Sequence, residues 1–368
     1  ITTRLVGSEM CIRDRKYYLN VIFMAVLLAA VFYVLLKDQD LNDILNAMRG
    51  AKKFDMILSM FAALVYVIME GVSMQIILHS LDFKKQGLKC VKYSFIGFFF
   101  NAITPSASGG QPMQVYYMHE EGINAGASSV TLLFWTIIYK VVLVVFELYV
   151  FLFHFDFAVK YIGGYMWLFI IGMAVNVVSI VLYTIIVFSE TGAKKLAYMG
   201  TWFLHKLKIV RHKEKAEKKL DALLDSYKEG AVYMRTHVKV AIIVFLTTCV
   251  QRISYFAVTW FVYRALGGSG FSALEIIMLQ SFVSVCIDIL PFPGGVGANE
   301  GFFVALFAPV MGHSIAVSAM LLSRGSSFYV LVIVSAAVSM FAQFQNVRRS
   351  KCQNTRSVSY THLTLPTN

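Results

Sequence analysis

Charge is scarce in this sequence. Asp, Glu, Lys and Arg make up 15% of the 368 residues, where a soluble domain carries about a quarter. Acidic residues are the rarer sign, 21 against 33 basic, and the net charge is +12. Only 6 prolines interrupt the chain, so long stretches are free to be helical. The five cysteines, Cys11, Cys90, Cys249, Cys286 and Cys352, are scattered, with no CxxC or Cys/His spacing. No disulfide framework, metal site or other cofactor is expected from them. Neither GxxxxGK[ST] nor GxGxxG occurs, which argues against a nucleotide-cradling loop.

What fills the space is apolar. Hydrophobic residues reach 58%, with 30 Phe, 19 Tyr and 17 Met, and the mean hydropathy is +0.67. Such a composition needs a solvent other than water. Aromatic belts and adaptable thioethers suit lipid and helix-packing surfaces. The basic residues stand between apolar runs, above all from Lys194 to Lys239. Membrane orientation and anionic lipid head groups account for them, and DNA is not an expected partner.

Six apolar runs are long enough to cross about 30 Å of hydrocarbon as helix: Tyr18 to Leu36, Met56 to Leu81, Ser128 to Phe153, Met166 to Phe188, Val240 to Ala265 and His313 to Phe344. Two further pieces are irregular. Val91 to Ile103 runs into TPSASGG, and Ser272 to Leu290 runs into PFPGGVG; each either spans or enters the membrane and returns. The expected fold class is all-α, a polytopic membrane helix bundle of six spans plus two broken or re-entrant hairpins.

Both irregular pieces place Pro before Gly-Gly after an apolar run, in Asn101 to Pro112 and in Asp288 to Glu300. Broken segments at corresponding places in two halves point to a possible inverted repeat with its site near the midplane. The plainer alternative is that Pro and Gly simply end helices at the membrane surface. Glu190 to Lys239 holds twelve Lys/Arg against six Asp/Glu, and Asp82 to Lys89 holds three Lys. The positive-inside rule puts both on the cytoplasmic side of a cell membrane, with cytoplasmic termini. Within the first, Thr191 to His237 reads as amphipathic, lying on an anionic leaflet or forming a solvated hairpin.

Several ionisable residues fall inside these runs: Glu70, Lys140, Glu147, Arg252 and Arg324, with Asp288 and Glu300 flanking the second break. Intramembrane charges persist mainly where they pair or line a wet cavity. Lys140 and Glu147 are two turns apart, too far for an i,i+4 pair, and need partners on other helices. For both, an interhelical structural pair is the plain reading. Arg252 and Arg324 have guanidinium forks that match phosphate, with Glu70, Asp288 and Glu300 as counter-charges or contacts for a cationic head group. At the breaks, Asn101, Thr104 and Gln111 offer uncharged polar groups. Pro105, Gly109, Gly110, Pro293, Gly294 and Gly295 shape backbone that can approach a ligand. The helix N-termini after the breaks are expected to offer N–H groups to a phosphate.

The ends read differently from the middle. Leu5 to Arg15 and Val358 to Thr367 fit neither a span nor a signal peptide. They read as translated sequencing-adapter DNA. The expected division is therefore 1–15 and 358–368 foreign, with a membrane domain over 16–357 that includes the basic loop 190–239.

At N-A-I-T-P-S-A-S-G-G-Q-P-M-Q-V-Y-Y (Asn101 to Tyr117), P-F-P-G-G-V-G-A-N-E (Pro291 to Glu300) and the Arg324…Tyr329 pair, the sequence resembles the lysylphosphatidylglycerol synthase membrane-region, or flippase-like, family. The resemblance covers Lys16 to about Ser357. It implies a bacterial plasma-membrane protein that binds or translocates phospholipid, phosphatidylglycerol or its lysyl form, in connection with membrane charge and resistance to cationic antimicrobial peptides. Gln111 and Gln114 depart from the Glu and Arg that many relatives carry after the Gly-Gly. Two-part relatives add a soluble lysyltransferase domain using lysyl-tRNA; here the residues after the last span are too few for one, so a separate synthetase is the expected partner. Lysyl transfer by this chain is the alternative. His79, His119, His154, His205, His212, His237 and His313 are isolated, and no acid/base constellation stands out. An ion-coupled solute transporter is the third reading.

Overall fold

The computed structural model describes residues 49–83, 86–104, 107–188, 195, 237–288, 295 and 297–362. The apolar run Tyr18 to Leu36, nearly all of the basic loop and most of the two ends read as foreign lie outside the described residues. The described residues are helical, with short turns and no strand among them.

Four of the six expected spans keep essentially the bounds read from the sequence: α1 (Lys53–Ser80), α4 (Ala125–Phe153), α6 (Met166–Phe188) and α7 (Val238–Ala265). A short α5 (Phe155–Ile162) and a 3-10 turn feed α6, so that this span starts earlier than its apolar run. The last span is α10 (His313–Arg324), a π-helical turn (Gly325–Tyr329) and α11 (Val330–His362), which run on as one rod. Five stretches are thus long and apolar enough to cross a membrane. Their outward faces are greasy, as lipid requires: Trp167, Ile170 and Val178 on α6 are each more than half exposed.

Each irregular piece is a helix, a break and a helix. α2 (Gly87–Ile103) and α3 (Gly110–Glu120) form the first; α8 (Ala273–Ile287) and α9 (Ala298–Met311) form the second. Neither member of a pair reaches the 20 or so residues of a crossing. The long helix, broken pair, long helix order therefore occurs twice, as α1 to α4 and as α7 to α11.

The two units run in opposite directions. α1 lies along α7 antiparallel: Lys52 N donates to Ala265 O at 2.9 Å at one end, and Ser73 Oγ meets Thr247 Oγ1 at 2.9 Å near the other. Arg264 Nη2 adds a 3.3 Å contact to Asp55 Oδ1 at the first end. The first broken pair starts where α1 ends, and Glu121 at its close returns to Lys89 (3.6 Å) and Lys92 at its beginning. The second starts where α7 ends, and Tyr263 Oη accepts from the N–H groups of Gly270 and Phe271 at 2.9 and 3.2 Å. The hairpins thus enter from opposite ends of the bundle, which is the inverted arrangement expected from the two breaks.

One close approach sets the first hairpin against α1. A Cβ on Gly71 would sit 2.7 Å from Val91 Cα and 2.8 Å from Val91 N, both backbone atoms. Only glycine lets α1 and α2 meet there.

Candidate functional site

The tips of both hairpins open on one central cavity of about 490 Å³. From the first come Asn101, Ala107 and Gln111; from the second, Asp288, Gly295 and Asn299. Glu70 of α1, Lys140 of α4, Arg252 of α7 and Arg324 of α10 complete its charged lining. Its size falls in the range of small-ligand sites.

The first tip is built from neutral caps. Thr104 Oγ1 donates to Phe100 O (2.7 Å) and accepts from Gly109 N (2.9 Å), while Asn101 Oδ1 accepts from Gly110 N (2.9 Å). The N–H groups of Gly109 and Gly110, at the opening of α3, are thereby spent inside the protein. These two groups are therefore not free for a phosphate, because α2 supplies their acceptors. Gln111 Nε2 donates to Thr136 Oγ1 at 2.8 Å. Gln114 Nε2 donates to Glu70 Oε1 at 2.8 Å and to Tyr93 O at 3.2 Å. The two glutamines that depart from the family pattern thus tie α3 to α4 and α1.

The second tip is built from charges. Asp288 Oδ2 lies 3.7 Å from Lys140 Nζ, which also donates to Asn176 Oδ1 at 2.8 Å. Glu300, one turn into α9, accepts from Arg324 Nε at 2.8 Å with one oxygen and from Gly297 N at 2.6 Å with the other. Gly297 has φ +81°, a conformation that favours glycine. Here too the N–H of the residue that caps the helix is used internally. Pro105, Pro293 and Gly294 lie outside the described residues.

Arg252 differs from the other cations. It is 3% exposed, yet among the described residues no carboxylate lies within ion-pair reach. Its Nη1 donates to Tyr139 Oη and its Nη2 to Ser284 Oγ (3.0 Å); its Nε has no acceptor. Aromatic faces surround the guanidinium, with Cζ 4.7 Å from the Tyr139 ring, 4.6 Å from Phe256 and 5.7 Å from Tyr255. Cation–π attraction lets a desolvated arginine persist without neutralising it. Arg324 also stands over a ring, 4.3 Å from Phe328, but Glu300 already balances its charge.

Of the residues singled out from sequence, the cavity brings together Glu70, Asn101, Gln111, Lys140, Arg252, Asp288, Gly295 and Arg324. Thr104, Gly109, Gly110 and Glu300 stand behind this lining as caps and counter-charge. Glu147 is fully buried away from it. Lys140 finds its partners on other helices; Glu147 has Ser281 and Arg252 of other helices as neighbours, but among the described residues no donor reaches either of its carboxyl oxygens in hydrogen-bond geometry.

Sequence reasoning missed the aromatic and hydroxyl walls: Tyr66, Phe98, Trp135, Thr136, Tyr139, Tyr255, Ser284, Ser327 and Phe328. A signal was present in the spacing. Tyr66 precedes Glu70 by four residues, Tyr255 follows Arg252 by three, and Thr136 precedes Lys140 by four, so each shares a helix face with a charge.

At the base of the first hairpin, outside the spans, burial alone would raise the Glu121 carboxyl. Lys92, Tyr93 (3.0 Å) and Lys89 outweigh that effect and hold it below the usual carboxylate range.

Residues 21–335 match the family model described as the lysylphosphatidylglycerol synthase TM region. A UPF0104 membrane protein, PH1989, from Pyrococcus horikoshii is 24% identical over 323 residues, covering 86% of this chain and 94% of that protein. The match spans both broken hairpins and the helices that carry the cavity's charges, and the chain belongs to the lysylphosphatidylglycerol synthase TM region family.

Proposed function

We propose that this multi-pass membrane protein binds an anionic phospholipid by its head group in the central cavity and moves it between leaflets. The observation that carries the reading is Arg252, a buried guanidinium that faces the cavity with no carboxylate partner among the described residues. Phosphate is the anion that both fits a guanidinium fork and is abundant inside a membrane. The inverted hairpins meeting at one cavity supply a scaffold that can open alternately to either side. Phosphatidylglycerol or its lysyl form is the proposed lipid, a cell membrane with the basic 190–239 segment facing the cytoplasm the proposed setting, and a separate synthetase the proposed partner. Control of membrane charge, and with it resistance to cationic peptides, belongs to the same proposal.

The test is leaflet exchange of fluorescent phosphatidylglycerol in proteoliposomes, read by chemical quenching of the outer leaflet. Arg252→Ala is expected to slow exchange about 10–100-fold, in keeping with the roughly 1.5–3 kcal/mol of a charge-assisted hydrogen bond. Arg252→Lys is expected to recover part of it. Unchanged exchange in Arg252→Ala, with the protein inserted as wild type, would sink the reading.

A further inference from the structure

Glu147, on α4, is a buried ionisable group without an ion pair among the described residues. It is 0% exposed, and among the described residues no donor meets either carboxyl oxygen in hydrogen-bond geometry. The neighbouring hydroxyl of Ser281 on α8 sends its proton to Met278 O at 2.7 Å. The other intramembrane carboxyls are all engaged: Glu70 with Gln114, Asp288 with Lys140, and Glu300 with Arg324. Lys140, on the same helix as Glu147, is therefore already committed.

Helices α1, α3, α5, α6, α7 and α8 pack against α4. Among the described residues, the charged or titratable groups that Glu147 interacts with are Arg252 on α7 and Cys286 on α8; α1, α3, α5 and α6 contribute none. An ionised carboxylate cannot be held in such surroundings without a donor or a cation. In the present arrangement Glu147 is the neutral acid. If it loses its proton, the cation available to it is Arg252, whose Nε also lacks an acceptor.

We infer that Glu147 is a proton-binding site coupled to Arg252, protonated while Arg252 holds an anion in the cavity and ionised when Arg252 turns from the anion to it. The step is a proton transfer alone. The O–H bond of Glu147 breaks, the proton passes to water, and a guanidinium–phosphate pair is exchanged for a guanidinium–carboxylate pair. Two buried groups that lack an ion pair among the described residues in this state become partners in the other. The inference rests on the reading of Arg252 as the phosphate-binding group, and it makes the lipid cycle responsive to a proton gradient.

The experiment is calorimetric titration of the full chain in detergent with short-chain phosphatidylglycerol, in buffers of different ionisation enthalpy and across pH. Above the pH at which Glu147 ionises in the free protein, wild type is expected to take up close to one proton on binding, with affinity falling about tenfold per pH unit there, the slope of one linked proton; below that pH uptake is expected to fall to zero. Glu147→Gln, which keeps the shape of the neutral acid, is expected to bind without proton uptake and with a flat profile, while unfolding at the wild-type temperature. Glu147→Asp is expected to restore uptake at a shifted pH. Equal proton uptake in wild type and Glu147→Gln overturns the coupling. Absence of any binding in wild type instead overturns the lipid reading. In that case the infrared C=O stretch of a protonated carboxyl still decides the proton site: a band that titrates in wild type and vanishes in Glu147→Gln supports it, and no such band overturns it.

Discussion

The two broken hairpins are alike in outline and opposite in chemistry. In the first, a threonine, an asparagine and two glutamines close the break and anchor it, so its tip carries no charge of its own. In the second, two carboxylates do the same work, one tied to Lys140 and one to Arg324. In both, side chains of the hairpin accept from backbone N–H groups beside the break, as the need to satisfy irregular backbone in a membrane requires. The difference shows that this need can be met with neutral or ionic groups. The choice matters for binding, because the ionic hairpin uses up Lys140 and Arg324 while the neutral one leaves Arg252 unbalanced.

Removing a carboxylate from the second hairpin gives the largest expected effect. Glu300→Ala leaves Arg324 buried without its counter-charge and takes the acceptor from Gly297 N. A loss of about 3–5 kcal/mol is expected, as for other broken buried pairs, measured as a fall in the thermal midpoint of the detergent-solubilised protein. If Glu300→Ala costs no more than a neutral cap, the ionic character of this hairpin is incidental. Asn101→Ala, the corresponding change in the first hairpin, strips the acceptor from Gly110 N and is expected to cost about 1 kcal/mol, the usual worth of an N-terminal cap, in the same measurement. The smallest effect lies at the base of the first hairpin. Because the Glu121 carboxyl is held below its usual range, its contribution is present in full above the unfolded value of about 4.3 and lost as pH falls through the lower folded value. Glu121→Gln is expected to remove this acid-range loss while lowering stability slightly at neutral pH. Chemical denaturation at pH 7 and below about pH 4 checks it.

Much of this architecture was legible in the chain. Apolar runs marked the five described spans because a helix that faces lipid must be greasy over its length. The two Pro–Gly-Gly breaks marked the hairpins, and Asn101, Gln111, Asp288 and Gly295 beside them do border the cavity. Pairing was not legible. Glu300 and Arg324 are 24 residues apart and Glu70 and Gln114 are 44 apart; whether such residues meet depends on helix rotation and crossing, which a run of apolar residues does not encode. The aromatic wall was hidden for a related reason. Tyr66, Tyr139 and Tyr255 are ordinary members of a membrane composition until a charge is found on the same face.

By itself the sequence determined that this chain lives in a membrane, that it is helical, and that two breaks interrupt its spans in corresponding places. Those properties follow from hydropathy, length and the backbone preferences of proline and glycine, all of them local. Only the tertiary structure decided which charges are neutralised and which are not. That outcome is set by the approach of side chains from different helices, and among the described residues it leaves Arg252 and Glu147 buried with no ion pair.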